Sequence, residues 1–324
     1  MIRSVIKGVG AYLPEKVLTN EDISKFVDTS DEWIFGRTGI KQRHIAADDQ
    51  LTSDLAYHAS MEAIKDAGIA ASEIDLIILA TSTPDQVFPS TAVKLQDKLR
   101  IKSGAAFDIH AVCSGFIYAL STADNFIRSG NYKKILVVGS ETYSRILDWN
   151  DRSTCVLFGD AAGAFILESV YTEDNLLDVG IYDSIIRSDG EYREKLFCDG
   201  GPSMSGNQEH YINMDGKEVY KHAVEKQTSI VEELLEKTEI KIDDIDWFVP
   251  HQANLRILDA TAKKLKLDKN KIIITVEKHA NTSSASIPLA MTSAIKSGKI
   301  MRGDIVLLEA FGAGFTWGAV LLKY

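Results

Sequence analysis

Apolar and polar positions along this chain change period repeatedly, and each change marks an expected element. Ser4–Val9 reads as a first strand. The apolar positions from Ser53 to Ala67 form a helix pattern, with Ser53 as its expected N-cap and Gly68 as its stop. Leu76–Ala80 and Ile135–Gly139 are wholly apolar, as strands covered on both faces are. A helix is expected to open at Pro89–Ser90 and run to about Leu99. Phe107 onward begins as a half-apolar strand. Phe116, Ala119, Leu120, Ala123 and Ile127 then recur at the spacing of one helix face, closed by Gly130. The switch between the two periods falls at Cys113. Thr154–Phe158 and Ala162–Leu167 read as strands flanking Gly159–Asp160. Asp31–Gly39 reads as turn-rich, and residues 187–208 as a long surface loop.

The second half repeats the order of the first. A helix near Val219–Lys237 leads to a strand over Asp246–Pro250, and a helix near Ala253–Leu265 leads to a strand over Lys271–Thr275. A helix near Ser284–Ser297 leads to a strand over Asp304–Leu308. The offsets are nearly constant: 171 from Asp75 to Asp246, 168 from Cys113 to Asn281 and 170 from Ile135 to Ile305. A fixed period over half the chain signals a duplicated α/β unit. Strands alternating with helices imply parallel sheets with right-handed crossovers. The boundary is expected near residue 172, giving halves 1–172 and 173–324 that bring equivalent helix starts to one shared site.

Composition narrows the function. With 36 basic and 46 acidic residues the net charge is −10, the opposite of a nucleic-acid footprint. The hydrophobic share of 45% and charged share of 25% are those of a globular protein. Cys113, Cys155 and Cys198 are odd in number and widely spaced, with no CxxC pair, so neither a disulfide framework nor a zinc site is expected. That usage fits a reducing cytoplasm. The first ten residues lack the apolar core of a signal peptide, and the Ala310–Leu322 run is short and glycine-rich for a membrane span. A cytoplasmic protein without membrane attachment is expected.

Candidate chemistry begins at Cys113. A thiol at a strand-to-helix junction faces unpaired N–H groups and the positive end of a helix dipole, which lower its pKa and favour the thiolate. The competing reading is an inert buried cysteine. Two junctions of the second half carry polar groups directly after an apolar strand: Val249–Asn254, with His251, and His279–Ser286, with Asn281. In open α/β sheets reacting groups gather at the carboxyl ends of strands. His251 as a partner for backbone groups, and Asn281 as a turn or cap residue, remain alternatives. His110, on the same strand face as Val112, is expected to be structural, and His279 to lie outside the reacting set. His44, His58, His210 and His222 sit in polar contexts and are expected to be solvated.

The stretches Ala111–Phe116, Val249–Arg256 and Asn281–Ser286 resemble the Cys, His and Asn motifs of the β-ketoacyl-acyl-carrier-protein synthase III family. These are initiating condensing enzymes of type II fatty acid synthesis. Ser30–Trp33, Phe158–Ala164 and Leu308–Gly318 extend the likeness over nearly the whole chain. The resemblance implies a thiolase-like α/β fold of two pseudo-symmetric halves layered αβαβα, and a homodimer. It implies a decarboxylating condensation of a short acyl-CoA, acetyl-CoA above all, with malonyl-acyl carrier protein. Cys113 would be the nucleophile, with its own N–H and that of Ala313 as the oxyanion hole, while His251 and Asn281 would hold the enolate. No cofactor or metal is implied.

By the same resemblance Trp33 and Arg152 would sandwich the CoA adenine, Arg37 would meet a phosphate and Phe88 would line the acyl pocket. Lys221, Gln252, Ala253, Asn254, Leu255, Arg256, Lys263 and Lys264 would form the docking face for the acidic carrier protein. The chain departs from the family pattern at Ser114, usually alanine, and at Ala280 and Ala313, usually glycines. An alanine costs energy where the backbone needs positive φ. Three rivals share the fold: an acyltransferase that does not condense, a non-decarboxylating hydroxymethylglutaryl-CoA synthase type, and an inactive acyl-binding partner subunit. The second would want a catalytic carboxylate near Cys113, a role for which Glu309 and Asp108 have no motif support.

Overall fold

The computed structural model describes residues 1–172, 179–204 and 210–324. The elements begin with β1 (Ile2–Tyr12), β2 (Lys16–Thr19), α1 (Asn20–Ile23), α2 (Asp31–Thr38), β3 (Gln42–Ile45) and α3 (Thr52–Ala67). There follow β4 (Leu76–Ala80), α4 (Thr91–Lys98), β5 (Ala105–Ile109), α5 (Gly115–Arg128), β6 (Lys134–Glu141) and β7 (Ala161–Tyr171). Beyond residue 179 come β8 (Gly180–Ser188), β9 (Leu196–Cys198), β10 (Ile212–Met214), α6 (Gly216–Thr238) and β11 (Trp247–Pro250). The chain ends with α7 (Leu255–Leu265), α8 (Val276–His279), α9 (Ser286–Lys296), β12 (Ile305–Gly312) and β13 (Thr316–Lys323). The boundary expected near residue 172 abuts residues 173–178, which lie outside the described residues.

Two sheets carry the molecule, ordered β1-β7-β6-β4-β5 and β8-β13-β12-β11. Element by element the two orders match, except that the second sheet lacks a counterpart of β5. The all-parallel expectation is corrected. β4 is parallel to β5 and β6, and β11 to β12, but β7 runs antiparallel to both neighbours, as does β13. Only three residues separate β12 from β13, and so short a connection can join only antiparallel strands.

The missing fifth strand is the segment Lys271–Thr275, expected as a strand. It keeps one bridge, Phe248 to Ile272, and one bond from Ile273 N–H to Phe248 O at 2.9 Å. The buried side chain of Gln252 supplies the remaining bonds. Its Nε2 donates to Pro250 O (2.9 Å) and Ile273 O (3.0 Å), and its Oε1 accepts from the N–H groups of Thr275 (2.7 Å) and Val276 (3.1 Å). A side chain here does the work of a ladder.

Packing gives five layers. Leu55, Ala59, Ala63 and Leu95 of α3 and α4 cover one face of the first sheet. Phe116 and Leu120 of α5, with Ile287 and Met291 of α9, fill the space between the sheets against Ile78, Val137, Leu308 and Val320. Val231, Leu234, Ile257 and Leu265 of α6 and α7 close the far face of the second sheet over Phe248, Leu307 and Leu321. Each fully buried Leu, Ile, Val, Phe or Met side chain among these contributes about 1.5–3 kcal/mol by leaving water. The αβαβα layering is the expected one.

Four local expectations are corrected. Asp31–Thr38 is a helix rather than turns, because Ser30 Oγ caps Trp33 N–H and Gly39 ends it at φ +74°. Ser53 lies inside α3. Its N-cap is Leu51, whose N–H is bound by the Asp54 carboxylate at 2.8 Å. Thr154–Leu157 is wound into turns around Asp151, whose carboxylate accepts from Ser153 N–H (2.9 Å), Ser153 Oγ (2.7 Å) and Thr154 Oγ1 (2.8 Å), and Phe158 keeps only a single bridge, to Asn281. The expected loop 187–208 holds a 3-10 turn over Gly190–Lys195 and β9, which pairs with β10, while its residues 205–208 are outside the described set. Among the described residues no helix is long and apolar enough to cross a membrane.

Candidate active site

Beyond β5 the chain passes through a 3-10 turn, Val112–Ser114, straight into α5, which fixes Cys113 at the junction. Val112 takes φ +49°, an unfavourable left-handed conformation for a β-branched residue. Neighbouring elements over-determine the turn. Ser114 Oγ donates to Thr316 O (2.9 Å), and Thr316 Oγ1 donates to both Ala111 O and Ala313 O at 3.0 Å. These bonds tie the residues around Ala313 to the thiol. Two glycines allow the close approach. A Cβ on Gly312 would lie 2.9 Å from Cys113 N, and one on Gly139 would lie 2.3 Å from Ser284 O.

The second half contributes two side chains. His251 follows β11, and its N–H donates to Glu309 O at 2.8 Å. Burial pulls its imidazole pKa down to about 3, so the ring is neutral at physiological pH. Asn281 is clamped by its backbone, with N–H to Leu157 O (2.9 Å) and O accepting from Gly159 N–H (3.0 Å). Its Oδ1 accepts from Ser283 N–H at 2.9 Å, which leaves the amide NH₂ as the group free to donate.

Cys113, His251 and Asn281 line one cavity of about 690 Å³. A second cavity of about 840 Å³ also reaches Cys113 and is lined by Ala313, His110 and Tyr143. The thiol, Phe158 and Leu196 border both. The lowered thiol pKa expected from the junction is not found: burial pushes Cys113 up to about 12, and Glu141 nearby adds to the rise. Removing the sulfur from water disfavours its charge more than the helix start favours it.

In the lining of the first cavity two guanidinium groups lie over the Trp33 ring, Arg37 at 4.6 Å and Arg152 at 5.0 Å from its centroid. Arg152 also donates to Asp28 O at 2.8 Å. With Arg152 directly on the ring, a flat ligand ring can enter between them only if the arginine swings away.

Residues 107–190 match the family model described as 3-oxoacyl-[acyl-carrier-protein (ACP)] synthase III, and residues 235–324 match the model of its C-terminal part. The β-ketoacyl-[acyl-carrier-protein] synthase III of Mesorhizobium japonicum is 55% identical over 324 residues, covering 100% of both chains. The chain belongs to the β-ketoacyl-[acyl-carrier-protein] synthase III family. The family protein of Bradyrhizobium diazoefficiens is 56% identical over 324 residues, covering 100% of this chain and 99% of its own. The crystal structure of the Aquifex aeolicus synthase III superposes with a TM-score of 0.93 at 48% identity, covering 99% of this chain and 100% of that one. The priming β-ketosynthase of the R1128 polyketide pathway matches with a TM-score of 0.92 at 33% identity, covering 99% and 96%.

Against the family pattern, Ala280 sits at φ +57°, ψ −161°, a region that suits glycine, so the alanine there is strained. Ala313 is not at positive φ, which falls to Gly314 instead, so that departure is unstrained. Ser114 uses its extra hydroxyl on Thr316.

The residues expected to meet a carrier protein divide. Lys221, Arg256, Lys263 and Lys264 are exposed. Ala253, Asn254 and Arg256 line the mouth of the first cavity, and Asn254 also caps α7, which therefore starts at Leu255 and not at Ala253. Leu255 packs against Ile40, Leu258, Val276 and Ala280. Gln252 is corrected from docking residue to buried strut, for the ladder-like reason given above. Phe88 is 82% exposed and lines neither cavity of the single chain, although its neighbour Val87 lines the second.

Two histidines differ from expectation. His110 borders the second cavity, and His222 is buried between Tyr192 and Phe315, near Glu218 one helical turn away. Sequence reading missed Glu141, Tyr143 and Ser283. Ser283 had a signal, since it falls 171 residues after Val112 and shares its φ of +49°. Asp108, considered as a base, instead caps α4 through Thr91 and Ala92 N–H, and Glu309 is buried on β12 away from both cavities.

Proposed function

We propose that this chain condenses a short acyl-CoA, acetyl-CoA above all, with malonyl-acyl carrier protein, releasing CoA and CO₂ and forming a β-ketoacyl-acyl carrier protein. The observation that carries the reading is one thiol bordering two cavities, one of which is also lined by a neutral imidazole and an oriented carboxamide. Family membership supports the same reaction.

Cys113 sulfur attacks the thioester carbonyl, and the N–H groups of Cys113 and Ala313 receive the oxyanion. Collapse expels CoA and leaves an acyl-cysteine. Malonyl-acyl carrier protein then loses CO₂, and the bond electrons generate an enolate that attacks the acyl carbonyl. His251 and Asn281 donate hydrogen bonds to the enolate oxygen, which suits a histidine whose burial keeps it neutral. No base has to remove a carbon-bound proton, so neither a cofactor nor a metal is required. Trp33, Arg37 and Arg152 would receive the nucleotide end of CoA through stacking and charge. Lys221, Arg256, Lys263 and Lys264 would steer the acidic carrier protein, chiefly through its on-rate. The working form would be a cytoplasmic homodimer of halves 1–172 and 173–324. No role is given to Phe88 within the single chain.

Incubation with acetyl-CoA should add one acyl group to Cys113, and malonyl-acyl carrier protein should then discharge it with release of CO₂. Acylation that no carrier protein can discharge would refute the condensation and favour a simple acyltransferase.

A further inference from the structure

A continuous chain of polar groups runs behind Cys113 toward the first sheet. The Ser283 hydroxyl lies beside the thiol and acts to lower its pKa against the rise from burial. It lies 3.0 Å from Tyr143 Oη, to which it donates. Tyr143 Oη is 3.0 Å from Ser82 Oγ, which donates to Glu141 Oε1 at 3.1 Å. Glu141, at the end of β6, is fully buried. It also accepts from Ser284 Oγ (2.7 Å), Thr83 Oγ1 (2.6 Å), Thr81 Oγ1 (3.2 Å) and Ser82 N–H (3.1 Å). A carboxylate only accepts, and five donors around two oxygens are the surroundings of the ionised form. Burial outweighs these hydrogen bonds and raises the carboxyl pKa, which makes the carboxylate a willing proton acceptor.

We propose that Ser283, Tyr143 and Ser82 relay the Cys113 proton to Glu141 as the sulfur attacks. This rests on the reading of Cys113 as nucleophile. As the S–H bond breaks, its proton passes to Ser283 Oγ, the Ser283 proton to Tyr143 Oη, the Tyr143 proton to Ser82 Oγ and the Ser82 proton to Glu141 Oε1. The sulfur electron pair forms the bond to the acyl carbon, and CoA departs as its thiolate. Negative charge has then left Glu141 and gone out with CoA. When the enolate displaces Cys113 in the second step, the sulfur leaves as thiolate and takes the proton back along the same path, restoring the carboxylate.

The relay answers a problem that the site poses. The thiol is pushed up by burial, and His251, the other candidate acceptor, is equally unwilling to become an imidazolium. Around the second cavity the remaining ionisable groups are Asp85, His110, Arg145, Cys198, Asp199 and His210. Around the first they are Arg37, Arg152, Lys217, Tyr220 and Arg256. Among the described residues none of these is hydrogen-bonded to Cys113 or to the relay hydroxyls. Tyr143 and Ser283 are positioning residues for the thiol proton and touch no substrate carbon in this scheme.

The test is alkylation of Cys113 by iodoacetamide across pH, with the site of modification read by mass, in the wild type and in Tyr143→Phe, Ser283→Ala and His251→Ala. Loss of the relay should slow alkylation near neutral pH roughly tenfold in the first two variants and move the midpoint of the rate profile upward. His251→Ala should leave the midpoint in place. Profiles of Tyr143→Phe and Ser283→Ala that superpose on the wild type would overturn the relay, as would a shifted midpoint in His251→Ala. Ser283→Ala alone decides the matter should the larger Tyr143→Phe change prevent folding. Alkylation needs neither acyl-CoA nor carrier protein, so failure of the relay is distinct from failure of the condensation. The latter would appear as a wild-type enzyme that is alkylated normally yet never acylated and discharged.

Discussion

The two junctions that meet at the site, Val112–Gly115 of the first half and Thr282–Ser286 of the second, are built alike and do different work. The first follows β5 and the second follows the short helix α8; each then makes a 3-10 turn and enters a helix buried between the sheets. Each holds one non-glycine residue at φ +49°, Val112 or Ser283. The first presents a thiol that burial keeps protonated; the second presents hydrogen-bond donors, with Asn281 locked by Ser283 N–H. The nucleophile sits beside a fully paired strand, β5, whereas the donors sit beside a segment whose strand pairing is replaced by the Gln252 side chain. The two backbone platforms match, and in the proposed mechanism the side chains placed on them divide the reaction between making the acyl-enzyme and using it.

That division can be broken in order of size. Cys113→Ala should abolish acyl uptake, with a loss above about a thousandfold measured by incorporation of labelled acyl groups. Gly139→Ala should push the second junction off β6, because its Cβ would meet Ser284 O at 2.3 Å. A backbone atom cannot move aside cheaply, so a loss of about 1–3 kcal/mol in chemical unfolding is expected, with both steps of the reaction impaired.

The pH dependence of stability sharpens the comparison on the second side. Unfolded His251 titrates near its ordinary value, about 6.5, and folded His251 near about 3. Between those values the unfolded chain binds a proton that the folded one does not. Stability is therefore full above about pH 6.5 and falls as pH drops toward 3, by up to about 1.4 kcal/mol per pH unit. His251→Asn should flatten this slope in urea titrations taken at successive pH values. The smallest effect is expected at Ala280→Gly. Relief of a backbone held at φ +57°, less the entropy of the added glycine, should stabilise the protein by about 1 kcal/mol in the same unfolding assay.

Much of this was legible in the chain. Wholly apolar Leu76–Ala80 could only be a buried strand, and the period change at Cys113 located the strand-to-helix junction. The nearly fixed offsets foretold two sheets of matching order. What escaped depended on side chains substituting for backbone. Gln252 replaced a ladder and so hid the loss of the strand at Lys271–Thr275, and Asp151 wound Thr154–Leu157 into turns despite its apolar run. Ser30 and Gly39 enclosed a helix whose interior carries Gly36 and only weak periodicity. Burial could not be read from local context at all, which is why the Cys113 thiol was expected to ionise easily and does not. Glu141 and Tyr143 were invisible for the same reason, since their partners come from Ser82, Ser283 and Ser284, far away in sequence.

The most direct test of the divided site is the intact mass of Asn281→Ala after mixing with acetyl-CoA and then with malonyl-acyl carrier protein. The account predicts that Cys113 is acylated at close to the wild-type rate and that the acyl-enzyme then persists, its discharge slowed about a hundredfold or more. Acylation that fails in step with condensation, or an acyl-enzyme discharged at the wild-type rate, would contradict it.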